Sequence, residues 1–476
     1  MKRTVFYDGL YGLAVADALG VPFESEKLMA MWEHPCTSMI GFGHHNQPAG
    51  SWSDDTSMTL CVADSFRHGI DPDEMMKKFS QWRSKHSYTA SGVVFDIGRC
   101  CRRAIDKYWD GMPAEFCGDS SLHGNGNGAL MRMLPVALYQ CHYCTVDDEH
   151  LEDFLTPIHA ASSITHAHEI GLICCGLFSL TLREWFLREN SGAALLDIAR
   201  SAFEKGRQTY TRMGGDFAVY INDPAYFDDP GRLTEKTAED FPTWGYALNT
   251  WNIALWSLLM TDNYRDCVLK AVNLGGDADT NAAVAGALAG VIYGKEAIPQ
   301  EWVDVLLNKQ LLDEIAEKFT CALFGVTDKT VIEQFDGAYA FMAMKAPSIV
   351  TLDGIGYKDV GAAYYALSVP AEYRGQFVQL GARRARKLFK QLPHLEDDPE
   401  LIAERLYCVV KAKYDQHPEE QKKLLNTDSM EIIYDTSGSH DNVLGRCRCK
   451  DCQGKEYQNL YGKALMRVRA ELQEQR

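Results

Sequence analysis

Apolar residues recur at helical spacing along most of the first two-thirds of this 476-residue chain. The stretches 71–87 (DPDEMMKKFSQWRSKHS), 169–190 (EIGLICCGLFSLTLREWFLREN) and 245–260 (GYALNTWNIALWSLLM) each have helix length and an apolar face of period 3.6. Few stretches alternate strictly, so this part is predicted to be an all-α domain. The segment 206–243 is polar and carries Pro and Gly, which predicts a long loop. The last third reads differently. Residues 331–344 and 347–360 are rich in β-branched and aromatic side chains, with Asp336-Gly337 and Asp353-Gly354 as turn signals. Helical patterns follow at 374–392, 398–416 and 459–476, so this part is predicted to be a smaller α+β domain.

Charge sharpens that division. Residues 327–476 carry equal numbers of basic and acidic side chains, so the whole net charge of −17 falls on the first 326. A boundary near 327 follows, giving domains 1–326 and 327–476. So acidic a chain disfavours non-specific nucleic-acid binding. No uncharged apolar run approaches the roughly 20 residues of a membrane span, and the first residues show no secretory pattern. The 15 cysteines are mostly scattered through apolar stretches, without disulfide-scaffold spacing. A reduced, cytoplasmic location without membrane contact is the expectation.

Four short stretches of the first part combine Gly, acids and hydroxyls. They are GLAVADALGVPFE with Asp17, Gly20, Pro22 and Glu24; WSDDTSM with Ser53, Asp54, Asp55 and Thr56; GNGALMR with Gly126, Asn127, Gly128 and Arg132; and NLGGDADT with Asp277, Asp279 and Thr280. Singly, Asp-Asp-Thr reads as a helix N-cap and Gly-Gly-Asp as a turn. Together they offer two matching oxygen-rich sets, free of nearby Cys or His, which suit Mg2+ or Mn2+. Burying so many carboxylates without cations would be heavily penalised.

These motifs in this order, with AGSWSDDTSMTL, SITHAHEIG and AVNLGGDADTNAAVAGALAG around them, resemble the ADP-ribosylglycohydrolase family from about residue 6 to 325. The resemblance implies a helical domain holding two Mg2+ or Mn2+ ions on Ser53, Asp54, Asp55, Asp277, Asp279 and Thr280. It implies hydrolysis of the bond between ADP-ribose and an acceptor on a protein or nucleic acid. Glu24 and Asp54 would stand at the chemistry, with Asp96 an acid on the substrate side. Gly126, Asn127 and Gly128 would meet the phosphates, and His166 would lie near the ligand. The chain departs from the family at Ala16, where Gly is usual, and at Arg99-Cys100, where Asn-Thr is common. A second expectation is an antitoxin that binds and blocks an ADP-ribosyltransferase toxin; a third is a non-catalytic ADP-ribose binder.

The rear part resembles the NADAR family over about 330–472, through Lys413, Leu424-Leu425-Asn426-Thr427, Asp441, Gly445, Asn459, Gly462, Leu465-Met466 and Arg469. The glutamate expected to do that family's chemistry falls on Gly361, which implies a domain that binds without cleaving. His440, Cys447, Cys449 and Cys452 form H-x6-C-x-C-x2-C, a donor set for structural Zn2+; the alternative is three free thiols in a loop.

Overall fold

The computed structural model divides into two compact units, Met1–Phe324 and Gly325–Arg476. It describes all residues except 67–68, 325–330, 334, 336, 396–397, 426, 428–429, 438–439, 448, 453–454 and 475–476. Asp336 and Asn426, each part of an expectation above, lie outside the described residues.

Helices build the first unit, and the three predicted stretches appear as Pro72–Lys85, Glu169–Arg188 and Ala247–Leu259. Asp71 caps the first of these by accepting hydrogen bonds from the N–H groups of Asp73 and Glu74, and Pro72 supplies a preset φ at its start. Helix Glu169–Arg188 is long and apolar enough to span a membrane, which the sequence reading had not anticipated, but 78% of its most apolar stretch is buried within the unit.

The segment 206–243 is not a long loop. Helix Leu195–Met213 runs into it, and Gly215–Ile221 and Pro230–Leu233 follow. Packing overrides the polar composition here. Tyr210 is fully buried, stacking on His159 and Phe217, so the polar face of its helix turns outward.

The axis of the unit is an antiparallel pair, Val5–Gly20 against Ala278–Tyr293. Glycines set its closeness. A Cβ on Gly12 would lie 2.3 Å from the Gly286 carbonyl oxygen, and one on Gly290 would lie 2.3 Å from that of Asp8. At the end of the pair, a Cβ on Gly20 would lie 2.4 Å from the Cα of Asp279. No larger residue fits this approach, which brings the last turn of one helix against the acidic start of the other.

In the second unit, Val350–Leu352 pairs antiparallel with Ile355–Tyr357, Val350 opposite Tyr357. Asp353 and Gly354 join them with φ of 49° and 78°, the two left-handed residues a tight primed hairpin turn requires. Val331–Ile332 pairs in parallel with Glu431–Ile432. Residues 337–342 form a 3-10 helix instead of continuing a strand. Helices Val360–Leu367, Pro399–Gln416 and Leu460–Glu474 enclose a core that includes Leu406, Val410, Tyr414 and Tyr461.

Much of the NADAR-like pattern is structural. Lys413, 1% exposed, pairs with Glu420 at 2.8 Å and donates to the Phe341 carbonyl. Arg469 donates to the Thr427 hydroxyl at 2.8 Å. The side chain of Asn459 bridges Tyr434 N and the Ile432 carbonyl. A Cβ on Gly361 would lie 2.4 Å from that of Ala382, so helix packing leaves no room for an acid there.

Candidate metal centre and substrate cavity

Helix Asp54–Ser65 begins at Ser53, and its start is held by Asp17 from the Val5–Gly20 helix. The Asp17 carboxylate accepts from Ser53 N at 2.9 Å, from Thr56 N at 3.0 Å and from the Thr56 hydroxyl at 2.6 Å. Asp17 is fully buried and belongs to the site, although the sequence reading gave it no role. Its signal was available: an acid in the last turn of an otherwise apolar helix must have a buried partner.

Across from it, Gly275 and Gly276 turn the chain with φ of 70° and 66°. A Cβ on Gly276 would lie 2.1 Å from the Thr243 hydroxyl. The turn is tied to the Glu24 loop: Ser25 N donates to Gly276 O at 2.6 Å, and Gly276 N donates to Glu26 O at 2.7 Å. Asp277 then stands at the N-terminal boundary of helix Ala278–Tyr293 without a side-chain capping bond, with Asp279 and Thr280 in the first turn.

The two oxygen-rich sets meet. Thr280 Oγ1 donates to Asp55 Oδ2 at 3.3 Å, and Ser53 Oγ donates to the same oxygen at 2.8 Å. Donor atoms of Asp17, Asp55 and Asp279 lie within 4.8 Å of one another, all three buried. Asp55 Oδ1 and Asp279 Oδ2 are buried without any hydrogen-bond partner. An unsatisfied buried carboxylate oxygen is costly, and the cost vanishes if a cation sits between such oxygens. Asp54 lies on the open side, accepting from Gly98 N at 3.2 Å.

A histidine completes the rim, contrary to the expectation of a set free of His. Donor atoms of Glu24, His45, Asp96 and Asp279 also lie within 4.8 Å of one another, and His45 Nε2 contacts Glu24 Oε2. The loop carrying His45 folds back tightly, and a Cβ on Gly43 would lie 2.1 Å from the Pro22 carbonyl oxygen. Its distance of 21 residues from Glu24 hid it from motif reading.

Electrostatics follow from this crowding. Burial, then the neighbouring acids, pushes Asp54, Asp55 and Asp279 well above the usual carboxylate range. Burial raises Asp96 and Asp277 as well, and lifts Asp17 to about 6 against its hydrogen bonds. Burial opposes charge on His45, but Glu24, and then Asp96 and Asp17, hold it above the ordinary imidazole value. Bound cations would reverse the sign of this balance, since each supplies the charge the acids lack.

Above the acids opens a cavity of about 880 Å3, lined by Glu24, Asp54, Asp96, Asp277, Thr280 and the loop Gly126–Gly128. Ser53, Asp55 and Asp279 lie buried beneath it. The Asn127 side chain faces the acids, donating to Asp277 Oδ2 at 2.7 Å and to the Thr250 hydroxyl at 2.9 Å, and so orients a carboxylate. His166 also lines the cavity, packed against the loop so that a Cβ on Gly128 would lie 2.9 Å from its Cε1. Burial pushes its imidazole down to about 3, so it is neutral. Arg99, Cys100 and Trp244 also line the cavity, and Arg99 and Trp244 are exposed there.

Residues 2–330 match the family model described as ADP-ribosylglycohydrolase. The chain is 28% identical over 314 residues to the ADP-ribosylarginine hydrolase Tri1 of Serratia proteamaculans, spanning 65% of this chain and 77% of that protein. It is 30% identical over 300 residues to the ADP-ribosyl-[dinitrogen reductase] glycohydrolase of Rhodospirillum rubrum, spanning 62% of this chain and 87% of the relative. A solved structure titled as an ADP-ribosylglycohydrolase-related protein complex superposes with a TM-score of 0.52 at 30% identity, covering 67% of this chain and 97% of the other. With the family model spanning well over half its length, the chain belongs to the ADP-ribosylglycohydrolase family and is a glycohydrolase.

Proposed function

We propose that the first unit releases ADP-ribose from a modified arginine side chain, using a pair of Mg2+ or Mn2+ ions. The observation that carries this reading is the pair of buried, unpartnered oxygens, Asp55 Oδ1 and Asp279 Oδ2, among carboxylates that burial has driven toward protonation. Ser53, Asp54, Asp55, Asp277, Asp279 and Thr280 would hold the ions, carboxylate and hydroxyl donors suited to hard cations. When bound, such ions make water more acidic and supply positive charge toward ribose hydroxyls.

The chain's own groups do the rest. Glu24, steadied by His45, lies on the cavity wall, placed to take a proton from water. Asp96, raised by burial and by Glu24, retains a proton more readily than an ordinary carboxyl and is suited to protonate the departing group. Asn127 fixes Asp277. Backbone N–H groups of the Gly126–Gly128 loop would meet the phosphates, offsetting the repulsion between an anionic ligand and an acidic unit.

Arginine as the acceptor is supported by relatives from Serratia proteamaculans and Pseudomonas putida, both named ADP-ribosylarginine hydrolase, and by the Glu24 carboxylate on the cavity wall, which complements a guanidinium. The test is a panel of arginine-, serine- and guanine-linked ADP-ribose with Mg2+ or Mn2+. Release of free ADP-ribose from the arginine linkage alone supports the whole reading. Release only from another linkage overturns the acceptor, and no release from any overturns the hydrolase.

The second unit, in this reading, binds and does not cleave. Its cavity of about 700 Å3 is lined by Lys345, Arg383, Arg386 and the rings of Tyr365 and Tyr434, groups that suit a phosphate-bearing base. The packed Gly361 supports a binding role. ADP-ribosylated guanosine incubated with an Asp279→Asn chain should be bound and remain intact; its cleavage by that variant would reject the reading.

A further inference from the structure

We propose that the second unit holds one structural Zn2+ on His440, Cys447, Cys449 and Cys452. The four donors converge. His440 Nδ1 lies 3.1 Å from Cys449 Sγ, 3.8 Å from Cys452 Sγ and 4.0 Å from Cys447 Sγ. Cys447 Sγ lies 3.4 Å from Cys449 Sγ, and all four donor atoms fall within 4.8 Å of one another. A tetrahedral zinc with Zn–S of about 2.3 Å and Zn–N of about 2.0–2.1 Å sets sulfur–sulfur edges of about 3.8 Å and sulfur–nitrogen edges of about 3.6 Å. The three sulfur–nitrogen separations, 3.1–4.0 Å, bracket their edge, and the 3.4 Å between Cys447 and Cys449 sulfurs falls a few tenths of an ångström short of the sulfur–sulfur edge.

Other readings fit less well. At 3.4 Å the sulfurs of Cys447 and Cys449 are far from disulfide distance, and all three cysteines are free thiols. Soft thiolate donors reject Mg2+, Mn2+ and Ca2+ and select zinc among the common structural metals. Four protein donors close the coordination shell, so this ion would brace the fold and take no part in hydrolysis.

The surrounding chain shows what it would brace. Cys447 N donates to the Asn442 side chain at 2.9 Å, and Cys452 N donates to Cys449 O at 3.0 Å, which folds the cysteines into a knuckle. His440 sits at a left-handed φ of 55°, which aims it back at them. The same loop returns along the core: Arg446 N donates to Tyr434 O, Thr436 N to Arg446 O, and Tyr461 N to Leu444 O. A Cβ on Gly445 would lie 2.0 Å from the Tyr434 carbonyl oxygen, so the loop is pressed against this backbone. Tyr434, Asp435, Thr436, Asp441 and Leu444 form one wall of the second unit's cavity. Zinc at this knuckle therefore fixes a wall whose described residues lie outside any helix or strand.

Elemental analysis of the full chain, purified under reductant, tests this. One zinc per chain is expected, retained in Asp279→Asn and in Cys408→Ser, and lost in Cys449→Ser and Cys452→Ser. Because those last variants can misfold, Co2+ exchange into the unaltered chain provides a second measure. Thiolate-to-cobalt charge-transfer absorption with intense tetrahedral bands is expected, a signature that the oxygen donors of the first unit cannot produce. A chain from zinc-supplemented culture that contains no zinc, shows no sulfur charge transfer with Co2+, and leaves the three thiols open to a thiol reagent would overturn the proposal.

Discussion

Asp55 and Asp279 stand in the first turns of two different helices, yet their carboxylates meet Asp17 within 4.8 Å, and each keeps one buried oxygen unpartnered. This relationship trades stability for function. Removing one charge from the group relieves repulsion but destroys a donor. Without divalent ions, Asp279→Asn should be more stable than the unaltered chain, since it removes one of several buried carboxylates whose charged forms burial and mutual repulsion disfavour. With Mn2+ the order should invert, and ADP-ribose release should fall about 100-fold or more. Thermal unfolding with and without Mn2+ decides this; an unaltered chain indifferent to divalent ions would sink the argument.

Asp17 lies beside Asp55 and Asp279, but its carboxylate also holds the start of the helix that carries Asp55. It positions Ser53 and Thr56, whose two backbone N–H groups and one hydroxyl all donate to its carboxylate. Asparagine keeps one acceptor oxygen and turns an N–H2 toward those donors. Asp17→Asn should cost about 1–3 kcal/mol. Its distinguishing effect is on metal affinity: the concentration of Mn2+ for half activity should rise about tenfold, while turnover at saturating metal recovers most of its value. Equal loss at all metal concentrations would mean the residue acts in the chemistry itself.

The paired helices make a related claim. Gly12→Ala and Gly20→Ala each place a methyl group within 2.4 Å of opposing backbone. Both should lose about 1–3 kcal/mol by overpacking. Gly20 faces Asp279, and Gly12 faces Gly286 two turns away. Activity measured well below the unfolding transition should therefore fall more in Gly20→Ala. Equal activities would show that helix separation does not reach the acids.

How legible this was depended on locality. The helices at 72–85, 169–188 and 247–259 follow from periodicity, because each buries one stripe. That Ser53 and Asp55 would meet Asp279 and Thr280 could be anticipated because each set is compact in sequence. His45 could not be, since only a folded loop carries it back to Glu24. Residues 206–213 read as loop because, of their buried residues Gly206, Thr209 and Tyr210, only Tyr210, in its aromatic stack, is large and apolar, while the helix's other anchors, Ile198, Ala199 and Ala202, lie before residue 206. Asn127 was expected to meet phosphate; its amide is spent on Asp277 and Thr250, a use that spacing alone does not reveal.

That aromatic stack makes the final prediction. His159 is buried against Tyr210 and Phe217, its Nε2 2.9 Å from the Tyr210 hydroxyl, and burial pushes its pKa down to about 4. In the unfolded chain it titrates near about 6.5. Between those values the unfolded state binds the extra proton, so stability rises with pH across the window. The contribution is complete above about 6.5 and is lost as pH falls toward about 4, amounting to roughly 3 kcal/mol at the acid end. His166 shifts in the same direction, and the raised acids shift oppositely, so the total pH profile does not isolate the residue. The difference between the unaltered chain and His159→Gln does. In urea unfolding from pH 7.5 to 4, the glutamine variant should be the less stable at neutral pH, and the gap should close on acidification. A gap constant with pH would mean that the imidazole takes up its proton within the fold as readily as outside it.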